Sequence, residues 1–167
     1  MTDQAFAQAD PEWLKLIGEA RDWLRGVVAS TDPRLHQAAL WPGRLGDDVA
    51  LCHGSPRSDI EYLLETPVGE EARLARPDEI QERLDGRIPP HITLLACGHS
   101  HVPRAVHTAS GLLIVNPGSV GLPAYDDSDG GYHRVQTGAP HASYAIAERV
   151  AAGWQVQLLR IAYDWQQ

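Results

Sequence analysis

The apolar run Ile92-Thr93-Leu94-Leu95-Ala96-Cys97, followed at once by Gly98-His99-Ser100-His101-Val102-Pro103-Arg104, constrains the fold more than any other stretch. Five of its six residues are apolar, and so short and uniform a run reads as a strand buried on both faces. Such a strand delivers its carboxyl end, and the loop beyond it, to a surface crevice. In extended backbone His99 and His101 point to the same side, and Gly98 leaves room for a close approach. Two imidazoles presented together suit a metal ion.

A second strand is expected at Val49 to Cys52, ending in His53-Gly54-Ser55-Pro56-Arg57. Around these two lie further elements. Asp10-Pro11 and the apolar spacing from Trp13 to Val27 predict a helix over about residues 11–28, and Leu35 to Leu40 reads as a strand. Pro42-Gly43 and Gly46-Asp47-Asp48 read as turns. Ser58 and Glu61 have capping-box spacing and predict a short helix through Leu64. Residues 66–77 read as an exposed loop. Pro77-Asp78-Glu79 opens a helix through Leu84 that Gly86 ends. Ala105 to Thr108 and Leu112 to Val115 read as a hairpin about Ala109-Ser110-Gly111, Tyr125 to Pro140 as a long surface loop, and Ser143 to Val150 with Trp154 to Ile161 as a closing hairpin.

Composition narrows the function classes. The 167 residues are 43% hydrophobic and carry a formal net charge of −8, which suits one cored domain and argues against a nucleic-acid groove. No stretch is long and apolar enough to span a membrane, and the amino terminus lacks a signal-peptide pattern, so the expected location is cytoplasmic. Cys52 and Cys97, the only cysteines, lie in apolar runs and read as core thiols rather than a disulfide framework. His36, His91, His107, His133 and His141 have no motif around them and read as surface or loop residues, and Asp126, Asp127 and Asp129 as a solvated acidic loop.

His53, His99 and His101 each follow a strand end, where open α/β folds place ligands, and three imidazoles there suit Mn, Zn, Fe or Ni. Arg57 and Arg104 lie beside them and are candidate phosphate contacts, although a solvated arginine is the simpler reading. Ser100 alternates away from both imidazoles. Asn116-Pro117-Gly118-Ser119 reads as a tight turn whose Asn116 and Ser119 support the histidine loop from behind rather than ligate.

The ordered combination of His53-Gly54, Gly98-His99-Ser100-His101 and Asn116-Pro117-Gly118-Ser119 resembles the carboxyl-terminal half of the calcineurin-like metallophosphoesterases, particularly their small bacterial phosphodiesterase-like branch. The resemblance runs from about Asp47 to the end of the chain. It implies an α/β (α+β) fold: an incomplete four-layer αββα metallophosphoesterase sandwich with mixed sheets and C-terminal β-hairpins, over a single domain of residues 1–167. It also implies hydrolysis of a small-molecule phosphoester, most plausibly a phosphodiester, at a dinuclear centre of divalent metal ions. By the family pattern His53 and His99 would belong to one metal and His101 to the other. The family's D-x-H and G-N-H-D/E motifs, which supply remaining ligands, are not found; Gly46-Asp47 stands in a turn about 20 Å of extended chain before His53, too far to serve as the G-D motif, and the chain's only asparagine is Asn116. An amino-terminally truncated domain is therefore expected, with weak binding of one ion, doubtful activity alone and self-association through an incomplete sheet. The alternative expectation is a non-catalytic metal-binding or interaction module that acts with another chain.

Overall fold

The computed structural model describes residues 41–42 and 47–163. The helix expected over 11–28, the strand over 35–40, His36 and the Gly46 turn residue lie outside them. β1 (Trp41–Pro42) pairs antiparallel with β2 (Val49–Leu51), so Pro42 ends a short strand rather than lying in a turn. β2 runs parallel to β5 (Leu94–Ala96), which runs parallel to β7 (Leu113–Asn116). β6 (Arg104–His107) closes the hairpin with β7, giving a mixed five-stranded sheet in the order β1-β2-β5-β7-β6.

Both faces of the three parallel strands are buried, as their unbroken apolar sequences require. On one face Ala50, Leu95, Cys97, Leu112 and Ile114 pack with Leu63, Leu64, Ala75, Ile80 and Leu84. On the other, Val49, Leu94, Leu113 and Val115 pack with Ala145, Trp154 and Val156. That second cover is the hairpin of β10 (Ala142–Val150) and β11 (Gly153–Ile161). Trp154 Nε1 donates to Thr93 Oγ1 at 2.9 Å, and Arg149 lies over the indole ring 4.1 Å from its centroid while pairing with Asp48.

The first cover contains α1 (Pro77–Leu84), which buries Ile80 and Leu84. Glu79 Oε2 accepts the Arg76 N–H at 2.7 Å, and Asp85 ends the helix in the left-handed conformation before Gly86.

Three sequence expectations fail here. Residues 58–64 form turns instead of a helix. The reason is that Glu61 does not cap Ser58: its carboxylate takes Ser55 Oγ at 2.6 Å and Arg57 Nε and Nη2, while Ser55 N and Ser58 O close a tight turn at 2.8 Å. Residues 66–77 hold a hairpin, β3 (Glu65–Val68) with β4 (Glu71–Leu74), turned by Gly69-Glu70. Gly69 at φ 63° supplies the positive φ that a two-residue hairpin with glycine first requires, and Pro67 is tolerated because β3 is an edge strand. The stretch expected as a surface loop, Tyr125 to Pro140, holds β8 (Ala124–Asp127) and β9 (His133–Gln136). β9 joins β4 in parallel, making a second, four-stranded sheet in the order β3-β4-β9-β8. The fold is thus mixed α/β, with one described helix and several sheets.

Candidate metal centre

Parallel strands β2, β5 and β7 end side by side, and the segments leaving them form the site. Cys52 N–H donates to Ala96 O at 2.9 Å and Gly98 N–H to His53 O at 2.7 Å, so the His53 and His99 loops are stitched together from their first residues. A Cβ at Gly98 would lie 3.4 Å from His53 O, an ordinary contact distance, so the approach does not itself require glycine. The 53–61 loop is held at Gly54, where a Cβ would meet the carbonyl oxygens of Ser58, Asp59 and Glu61 at 2.6–2.7 Å.

The backbone at the two central histidines is not extended. His99 has φ 63° and His101 φ 59°, and Ser100 N–H donates to Gly98 O at 2.7 Å, closing a three-residue γ-turn of the rare positive-φ kind over His99. The alternation argument that put both imidazoles on one side therefore does not apply. Each such residue stores about 1–3 kcal/mol of strain, which persists only where surrounding contacts over-determine it.

His53 and His99 come together, their ring centroids 5.1 Å apart, with His53 exposed and His99 half-buried. His99 Nε2 is buried and makes no hydrogen bond. Burial, then the neighbouring His53, pushes the His99 pKa below its usual value, which favours the neutral imidazole that metals require. His101 sits apart, its ring 5.2 Å from Tyr125 and its Nδ1 2.9 Å from the Leu122 carbonyl. A carbonyl only accepts, so Nδ1 carries the proton and the neutral ring keeps its lone pair at Nε2.

Below this loop Asn116, fully buried, donates from Nδ2 to Gly98 O at 2.8 Å and to Ser100 Oγ at 3.0 Å, and accepts the Gly118 N–H at Oδ1. Ser119 Oγ accepts the Leu122 N–H at 3.1 Å. Cys97 is buried in the core and Cys52 packs against it; burial, with Asp59, pushes the Cys52 thiol up to about 12. Both arginines are tied to carboxylates. Arg57 holds Glu61 at 2.6 and 2.8 Å, and Arg104 Nε holds the buried Glu65 at 2.6 Å.

Four residues near the site carried no sequence signal. Tyr62 is buried with its ring 4.8 Å from His99 and its hydroxyl 2.5 Å from Asp127 Oδ2. Tyr125 OH lies 3.0 Å from both Tyr62 OH and His99 O. His133, expected at the surface, is fully buried, with Nε2 3.2 Å from the Tyr62 hydroxyl. Asp127, expected in a solvated loop, is instead tied to Tyr62 and to the Asp129 N–H.

The orphaned His99 Nε2 beside His53 fits one side of a metal centre. Among the described residues, however, no three His, Cys, Asp or Glu side chains form a set able to hold an ion, so a complete dinuclear cage is not assembled from them.

The model of the calcineurin-like phosphoesterase superfamily domain matches residues 30–139, well over half of the chain. The chain belongs to this superfamily, a phosphoesterase family that uses divalent metal ions. No curated protein matches it. Among solved structures it is similar to wild-type Vps29 complexed with Zn2+ from Entamoeba histolytica, at 13% identity and a TM-score of 0.36, over 74% of this chain and 60% of that one. The chain thus spans 60% of the length of that protein. Among the described residues no helix is long and apolar enough to cross a membrane.

Proposed function

We propose that this chain supplies the histidine side of a phosphodiesterase metal centre, with His53 and His99 as one donor pair and His101 Nε2 as a further donor. The observation that carries this is the buried, unpartnered His99 Nε2 next to the exposed His53 ring. A divalent ion in such a centre polarises a phosphoryl oxygen and lowers the pKa of bound water. The chain's part is to hold the imidazoles in place: the Leu122 carbonyl orients the His101 ring, and burial favours the neutral form of His99. Zn, Mn, Fe and Ni all suit imidazole donors.

A second reading has its own support. With no carboxylate joining the histidines in a ligand set among the described residues, the chain fits a metal-binding module whose chemistry depends on donors from another chain. Dialysis against Zn2+ or Mn2+ followed by metal analysis tests the site. About one ion per chain is expected, weakly held, and lost in His99→Ala and His101→Ala; unchanged content in both variants removes the assignment. Hydrolysis of an aryl phosphodiester with Mn2+ separates the readings. Little turnover is expected from the chain by itself, and robust turnover abolished by His99→Ala would rule out the partner-dependent module.

A further inference from the structure

Tyr125 of β8 and Tyr62 of the 58–64 turns both contact the strained histidine loop. Tyr125 brings its hydroxyl to the His99 carbonyl and its ring to His101; Tyr62 lays its ring on His99. Behind them, Tyr62 OH is held by Asp127, whose other oxygen takes the Asp129 N–H, while His133 Nε2 lies 3.2 Å from the same hydroxyl. His133 is itself oriented by Nδ1 facing the Gly131 carbonyl at 2.8 Å.

The direction of this chain of bonds is fixed by what each end can do. The His99 carbonyl and the Asp127 carboxylate only accept, so the Tyr125 proton goes to His99 O and the Tyr62 proton to Asp127. Both hydroxyls are therefore committed, and both rings stand where the His99 and His101 side chains must rest. Elements of the second sheet thus fix the main chain of the γ-turn and the rings it presents. A strained turn needs this kind of support to hold one geometry, and residues that orient metal-ligating histidines contribute about 10- to 100-fold to metal affinity.

We infer that Tyr62 and Tyr125, backed by Asp127, are positioning residues for the histidine centre, so that the β8–β9 hairpin is part of the functional site. The inference rests on the metal-site reading above. Its test is Co2+ binding to wild-type, Tyr125→Phe and Tyr62→Phe chains, followed by the visible absorption of the ion, at a temperature where all three are folded. The metal-free proteins are compared by the ring nitrogen resonances of their histidines. Each phenylalanine keeps the ring and removes only the hydroxyl. Expected are a roughly 10-fold or greater weakening of Co2+ binding, a changed visible band, and displaced His99 ring resonances before any ion is added. A purely structural role would lower the melting temperature and leave affinity, band and resonances as in the wild type, and that result overturns the inference. Should the wild type bind no Co2+, the metal-site reading fails by itself. The metal-free resonances then decide, and an undisturbed His99 ring in both variants overturns the positioning role too.

Discussion

The side-chain amide of Asn116 faces partners that cannot be exchanged: Gly98 O needs a donor, and Gly118 N–H needs an acceptor. Asn116→Asp preserves shape and the bond to Gly118 but sets a second oxygen against the Gly98 carbonyl in a fully buried place. The expected loss is about 2–3 kcal/mol at neutral pH, read by urea unfolding. A change within about 0.5 kcal/mol would show that the amide does not hold the loop. At this scale the sequence was legible where residues sit in ordered motifs: the placement of Asn116 under the histidine loop follows from its turn signal. It was silent on conformation. The positive φ at His99 and His101 accompanies the Ser100 and Asn116 hydrogen bonds to Gly98 O and the rings of Tyr62 and Tyr125, most of them partners remote in sequence.

Among the elements, α1 was legible because its signals are local: proline at the first turn, acidic residues behind it, and a left-handed residue and glycine after it. The two hairpins of the second sheet were not. In β9 the inward positions are His133 and Val135, so the alternation reads as polar, and in β3 and β4 Glu65, Pro67, Glu71 and Arg73 obscure a strand pattern. The same local chemistry yields a pH prediction for α1. Arg73, with the Arg76 N–H and Thr66, holds the Glu79 carboxyl well below its usual value. A depressed folded value contributes stability that is present above the unfolded pKa of about 4.3 and is lost as pH falls through the folded value. Glu79→Gln is therefore expected to unfold at lower urea than the wild type at pH 7, with the gap narrowing as the medium is taken below about pH 4. A gap independent of pH would assign the difference to packing.

Over the whole molecule, β5 lies between two parallel partners with Leu95 fully buried, whereas the outward face of β10–β11 leaves Tyr144, Ile146 and Val150 exposed. Hydrogen exchange is expected to be slowest at the amides of Leu94 to Cys97 and distinctly faster along β10–β11. Equal protection in both would place the hairpin within the same cooperative unit. The double-sided burial behind this contrast was legible in the uninterrupted apolar runs. What covers each face was not, because a run of leucine and valine is equally satisfied by a helix or by a hairpin.

The donors of the centre come from the ends of separate parallel strands, so no stretch shorter than the chain from His53 to His101 contains them, and their support extends to Asn116 and Asp127. An excised histidine loop would be a peptide with two unconnected imidazoles. Any ion that prefers the assembled site to the unfolded chain must therefore stabilise the entire sheet that assembles it, by an amount that grows with the logarithm of its concentration. On the proposed reading of the site, metal availability and resistance to unfolding become one property of this protein rather than two.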